Sequence, residues 1–271
     1  MNAPIGVFDS GMGGLTVMRA LYERLPHESF IYLGDTARLP YGTKSADTVR
    51  RYALQASAAL VARGIKLLVV ACNTASVSLP ALREALAPIP VIGVIEPGAA
   101  AALDVAPDGP IAIIATEGTV KGGAYRSAIR DHGSNVPIVQ QACPLFVPMT
   151  EEGLSTGPIV DAMIHRYLDP LLSTVPRPRC LLLGCTHYPV LKTSIARIAG
   201  DDIVLVDSAF TTAEAVVQLL RTHDLANKSG VHSPRFLATD SPDRFARVGE
   251  IFLGQPIDPG FVELIDLQSA Q

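Results

Sequence analysis

Charged residues are sparse in this chain of 271 residues, at 18%. They sum to a net charge of −4 with histidine neutral, and no long basic run concentrates them. That balance excludes the electrostatic footprint of a dedicated nucleic-acid binder. Long apolar runs are missing as well. The clearest, Leu67 to Cys72, is far too short to cross a bilayer, so no membrane partner is expected. The amino terminus has no basic segment ahead of an apolar stretch and leads straight into Ile5-Gly-Val-Phe-Asp9, which argues against a secretory signal. Cysteine is scarce: four residues, none in a Cys-x-x-Cys pair. That is too few for a disulfide framework, and it leaves free thiols suited to the reducing cytoplasm, the expected compartment.

What the chain does have is 48% apolar content in short runs that alternate with amphipathic stretches. Strands are expected at Ile5–Phe8, Phe30–Leu33, Ile65–Ala71, Val91–Val94, Ile111–Ala115, Val136–Val139, Cys180–Gly184, Ile203–Val206 and Phe236–Ala238. Helical periodicity fills the gaps, at Leu15–Leu25, Ala46–Arg63, Leu79–Leu86, Val120–Asp131, Ile159–Leu172, Val190–Ile198, Ala213–Arg221 and Asp243–Phe252. Such alternation predicts an α/β fold with mainly parallel sheets flanked by helices. The chain also echoes itself. Ile5-Gly-Val-Phe-Asp-Ser-Gly11 resembles Ile111-Ala-Ile-Ile-Ala-Thr-Glu-Gly118, and Leu67-Leu-Val-Val-Ala-Cys-Asn-Thr74 resembles Leu181-Leu-Leu-Gly-Cys-Thr-His187. Two pseudo-symmetric lobes with a site in the cleft between them are therefore expected. Residues 1–97 plus 208–271 would form the first and 98–207 the second, with the boundary near Glu96-Pro97-Gly98.

Each echo ends an apolar strand on a cysteine, Cys72 or Cys185, at the carboxyl end where open α/β sheets bind ligands. A following helix start would favour the thiolate. Cys143 and Cys180 lack that context and are expected to be structural. Asp9 and Asp35 end or follow strands, and His187 lies two residues beyond Cys185, so each is an acid–base candidate. Taken singly, Asp9 reads as a helix cap and His187 as a surface histidine. Gly11-Met-Gly-Gly-Leu15 lacks the third glycine of a dinucleotide loop, and is better suited to a tight turn and close approach of a small anion. Tyr41-Gly42, Asn73-Thr74, Thr116 with Thr119, and Thr186 add donors that suit a small zwitterion. A zinc site from Cys72, Cys185 and His187 lacks a fourth ligand, so no metal is expected.

Six ordered segments carry a family resemblance: Ile5-Gly-Val-Phe-Asp-Ser-Gly-Met-Gly-Gly-Leu-Thr16, Gly34-Asp-Thr-Ala-Arg-Leu-Pro-Tyr-Gly42, Ala71-Cys-Asn-Thr-Ala-Ser76, Val94-Ile-Glu-Pro-Gly98, Cys143-Pro-Leu-Phe-Val-Pro148 and Leu183-Gly-Cys-Thr-His-Tyr-Pro189. Together they resemble the glutamate racemases of the aspartate/glutamate racemase superfamily. The resemblance implies a cofactor-independent isomerase that interconverts L- and D-glutamate and supplies D-glutamate for peptidoglycan. It implies that Cys72 takes the α-proton of the D-enantiomer and Cys185 that of the L-enantiomer, assisted by Asp9 and His187 respectively. A family glutamate behind the second thiol maps to Glu151, with Glu152 adjacent. The substrate-binding set carried over is Asp9, Ser10, Tyr41, Gly42, Asn73, Thr74, Thr116, Thr119, Thr186 and His187, although the family's Gly-Thr reads Ala115-Thr116 here. Family members are often homodimers, and a homodimer is expected. The alternatives are a racemase for another amino acid such as aspartate, or a hydrolase built on Cys185 and His187. The hydrolase leaves Cys72 and the repeat unexplained.

Overall fold

Short apolar runs buried on both faces build parallel strands, because crossover helices cover each side of such a sheet. The computed structural model describes residues 3–229 and 234–267. Its strands are β1 (Ile5–Asp9), β2 (Phe30–Gly34), β3 (Leu67–Val70), β4 (Val91–Gly93), β5 (Ile111–Ala115), β6 (Ile138–Ala142), β7 (Cys180–Gly184), β8 (Val204–Asp207), β9 (Arg235–Ala238) and β10 (Val262–Leu264). The helices up to the end of the first repeat are α1 (Leu15–Arg24), α2 (Ala46–Val61), α3 (Asn73–Ser76), α4 (Leu79–Leu86) and α5 (Ile95–Val105). The rest are α6 (Glu117–Gly122), α7 (Ala124–Asp131), α8 (Phe146–Glu151), α9 (Pro158–Leu172), α10 (Lys192–Ala199), α11 (Ser208–Thr222) and α12 (Pro242–Leu253). None of the described helices is long and apolar enough to span a membrane.

The strands form two sheets, ordered β10-β9-β2-β1-β3-β4 and β6-β5-β7-β8. Every pairing is parallel. The order β2-β1-β3-β4 repeats as β6-β5-β7-β8, so the pseudo-symmetry read from the two echoes is present in the backbone. Register makes it residue-specific. Ile5 of β1 pairs with Leu67, as Ile111 of β5 pairs with Cys180. Each of Cys72 and Cys185 then lies five residues beyond its paired residue, at equivalent sheet ends. The period of two splits each strand between cores. Ile5, Val7, Leu67 and Val69 share one buried cluster with Ile111, Ile113 and Leu182 of the second sheet. The opposite faces pack outward, Phe8, Leu68 and Val70 against α2 and α4 residues, Ala112 and Ile114 against α9 residues. The two sheets thus share a central core through apolar residues of α1, α5 and α11.

Differences from the expected elements have local causes. The helix expected at 120–131 is two, because Gly123 between α6 and α7 adopts φ +63°. The strand expected at 136–139 lies two residues later, as β6. α11 starts at Ser208, capped by the Asp207 carboxylate, which accepts hydrogen bonds from the amides of Ala209 and Phe210. The segment Glu96-Pro97-Gly98 lies inside α5. Pro97 is tolerated there because first-turn residues have no intrahelical acceptor for their N–H.

Candidate active site

Cys72 leaves β3 as the cap of α3, and its sulfur accepts a hydrogen bond from the Ala75 amide at 3.4 Å. The thiol also points to Ser10 Oγ, 3.5 Å away. These contacts favour a thiolate, as expected of a helix start, but they do not win. Burial pushes the Cys72 thiol up to about 12, the neighbouring Asp9 charge adds to the rise, and hydrogen bonds from Ser10 and Ala75 only partly offset it. Burial likewise drives Cys185 well above the ordinary thiol value, against the pull of the His187 amide and with Cys72, Asp9 and Cys143 adding to it. The expected depression of both thiols is therefore overturned by desolvation. Cys143 and Cys180 are fully buried core residues, as expected.

Four thiols held protonated by the fold predict a loss of stability in alkali. The unfolded chain releases thiol protons near the ordinary value of 9, while Cys72 and Cys180 hold theirs to about 12. Above pH 9 the native state therefore binds more protons than the unfolded state, and stability falls as pH rises toward 12. Denaturant midpoints measured across that interval should decline, and thiol reagents at pH 8 should label the native chain far more slowly than the denatured one.

Each thiol has a buried ionisable neighbour, Asp9 or His187. Asp9 ends β1, and its Oδ2 accepts from the Gly11 amide at 2.9 Å. Burial raises this carboxyl, opposed by the charge of His187 and by the amides of Gly11, Gly14 and Ser10. Its Oδ1 has no hydrogen-bond partner among the described residues. Asp35, one residue beyond β2, instead binds Arg38, Tyr41 and Thr239, so it braces the fold. His187 places Nδ1 3.8 Å from Cys185 Sγ and Nε2 3.1 Å from Glu151 Oε1. Glu151 carries that contact, and Glu152 is exposed. Burial would raise the Glu151 carboxyl, but hydrogen bonds and charge from His187 and Arg244 hold it below its ordinary value. The pseudo-symmetry stops here. The register counterpart of Asp9 is Ala115, and that of His187 is Thr74.

Between the sheet ends lies a small, partly open cavity of about 30 Å³. Ser10, Tyr41, Gly42, Cys72, Asn73, Thr74, Thr116, Glu151, Cys185, Thr186 and His187 line it, so both cysteines face one space. Asp9 and Thr119 are not among the lining residues. Thr119 is buried and its hydroxyl bonds those of Thr74 and Thr116, at 3.3 and 3.0 Å. The Tyr41 hydroxyl is committed to Asp35, leaving its ring and backbone at the cavity. Asn73 Oδ1 accepts from no donor among the described residues, while its Nδ2 donates to the Tyr125 hydroxyl at 2.7 Å. At Gly13 the turn meets a side chain of the second repeat. A Cβ on Gly13 would lie 2.2 Å from His187 Nδ1, so the group requiring close approach is the imidazole of the second repeat. Thr16 continues the contact, its hydroxyl donating to the Thr186 carbonyl at 2.9 Å.

Leu39, Pro40 and Val147 add apolar walls that the motif reading missed. Arg244, Tyr125 and Phe252 were missed too, the last packing edge-on against His187 with ring centres 4.9 Å apart. They sit on α12 and α7, in amphipathic stretches without a motif. Among the described residues no group of three or more His, Cys, Asp or Glu is placed to hold a metal ion.

The sequence and fold have known counterparts. The family model for Asp/Glu/hydantoin racemases matches residues 5–216. A glutamate racemase of Geobacter metallireducens is 48% identical over 254 residues, covering 92% of each chain. The crystal structure of the Francisella tularensis glutamate racemase in complex with D-glutamate superposes with a TM-score of 0.91 at 38% identity, covering 99% of both chains. The glutamate racemase isoform RacE1 of Bacillus anthracis gives 0.92 at 37% identity and 98% coverage of both. With its repeated sheets, paired strand-end cysteines and near full-length similarity to these enzymes, the chain belongs to the Asp/Glu/hydantoin racemase family of isomerases, among the glutamate racemases.

Proposed function

We propose that this enzyme interconverts L- and D-glutamate by two-base proton transfer, with Cys72 and Cys185 on opposite faces of the α-carbon. The observation that carries the reading is that two thiols at register-equivalent strand ends line one small cavity. A single base returns a proton to the face it came from. Inversion needs an acceptor on one side and a donor on the other. In the L-to-D direction the Cys185 proton passes to His187 Nδ1, and the resulting thiolate takes the α-proton as the Cα–H bond breaks. Cys72 then delivers its S–H proton to the opposite face, with Asp9 beside it. The reverse direction uses the same groups in exchanged roles.

The burial that raises both thiols also explains why helpers are needed. A thiol held near 12 ionises rarely at neutral pH unless an adjacent group takes its proton at the moment of reaction. A dry cavity strengthens every donor aimed at the carbanionic transition state. Asn73, Thr74, Thr116, Thr186 and the Ser10 and Gly42 segments supply those donors and bind the amino acid. The cavity of about 30 Å³ holds little more than a water or two. Substrate entry therefore requires the lobes, residues 1–97 plus 208–271 and 98–207, to part and close again. We place the enzyme in the cytoplasm on its four unpaired cysteines, and its product in peptidoglycan synthesis on the family it belongs to.

The test is incubation with each glutamate enantiomer in heavy water. Deuterium should enter the α-carbon as product of inverted hand accumulates. Inversion of aspartate in preference to glutamate would overturn the substrate assignment, and hydrolysis of an ester without α-exchange would overturn the chemistry.

A further inference from the structure

The helper of Cys72 is held by its own lobe: Asp9 binds amides of the turn that follows β1. The helper of Cys185 is not. His187 donates toward Glu151 Oε1, and Glu151 Oε2 accepts from Arg244 Nη2 at 3.1 Å. Arg244 lies on α12, whose neighbouring strands β9 and β10 belong to the sheet of Cys72. The same helix supplies Phe252, packed edge-on against the His187 ring. One helix of the Cys72 lobe therefore touches both members of the His187–Glu151 pair, the ring of one and the second oxygen of the other.

The chemistry of the pair makes that contact matter. When Cys185 loses its S–H proton to Nδ1, the imidazole becomes a cation whose Nε2–H must keep an ionised acceptor. A carboxylate free to rotate offers that acceptor only part of the time. A guanidinium on the second oxygen fixes the carboxylate with Oε1 toward the ring. The Arg244 side chain is 40% exposed while that of Glu151 is 9% exposed, so the cation sits at the rim of the site it orders.

We propose that Arg244 is a positioning residue for the Cys185 half of the reaction, acting through Glu151 on His187, and that it completes that half-site only when the lobes are closed. The proposal rests on the two-thiol reading. It predicts an asymmetry that a general loss of stability does not produce. The enantiomers have equal free energy, so the two kcat/KM values must fall together in any variant. The step that limits each direction need not be shared. A slower Cys185 step makes the label transferred in that step more rate-determining, and masks the label transferred at Cys72.

The experiment measures primary deuterium isotope effects on kcat/KM with each α-deuterated enantiomer in Arg244→Ala, Arg244→Lys, Glu151→Gln and the Arg244→Ala/Glu151→Gln double variant. Arg244→Ala should lose between about 10- and 100-fold in kcat/KM. Its isotope effect should rise with deuterated L-glutamate and fall with deuterated D-glutamate. Arg244→Lys should recover part of the rate, and the double variant should be no slower than Glu151→Gln alone. Isotope effects that move together, or losses that simply add in the double variant, overturn the proposal. Full racemisation by Cys185→Ser, run alongside, instead overturns the two-thiol reading beneath it.

Discussion

Cys72→Ser and Cys185→Ser should each lose racemisation by about 10³-fold, in the range found when a proton-transfer group is removed. A serine hydroxyl ionises far less readily than a thiol, and the cavity makes ionisation harder still, since burial already carries the Cys72 thiol to about 12. The loss should be equal from either enantiomer, because the surviving thiol can work on one face only and turnover requires both. Unfolding is a poor account of such a result. At position 72 a hydroxyl can keep the bonds now made to Ser10 and to the Ala75 amide. Circular dichroism and thermal melts should therefore remain near those of the parent. Cys143→Ser offers the contrast: its sulfur lies in the core beside Phe146 and outside the cavity lining, so the cost should appear in stability. Full activity in either single active-site variant would remove the two-base mechanism.

Those cysteines were legible because a strand end followed by polar residues is a local pattern, and it occurs twice. Asp9 and His187 were candidates from their places at strand ends, Glu151 only by family resemblance, and the choice between Glu151 and Glu152 needed the turn of α8 that points only the first at His187. What could not be read is what crosses between repeats. Arg244 meets Glu151 over 93 residues of chain, and Tyr125 meets Asn73 over 52. No periodicity encodes such a meeting, because each partner also satisfies the pattern of its own helix. The same reason hid α5: Pro97 and Gly98 punctuate locally, while packing of Ile95, Ala99 and Ala102 into the shared core decides the helix. The glycine turn was noticed for close approach, and the imidazole that approaches Gly13 from the second repeat was not foreseen.

Gly13→Ala isolates that neighbour. Its Cβ would stand 2.2 Å from His187 Nδ1, 2.4 Å from Cε1 and 2.8 Å from Thr186 Oγ1, all too close for any rotamer adjustment of alanine itself. The imidazole must move. Retreat is blocked on one side by Phe252 and tethered at Nε2 by Glu151, so the ring gives up either its place beside Cys185 or its carboxylate. Both outcomes disable proton transfer to Nδ1, and kcat/KM should fall by about 10²-fold for a displacement of this size. Stability should fall by about 1–3 kcal/mol, as for an overpacked site. Gly11→Ala provides the control within the same turn. A Cβ there meets nothing nearer than Leu39 at 3.4 Å, an ordinary contact, so its effect should be much smaller. Comparable activity in the two variants would mean that the turn's glycines serve the backbone alone, and that the approach of His187 is not what position 13 is kept open for.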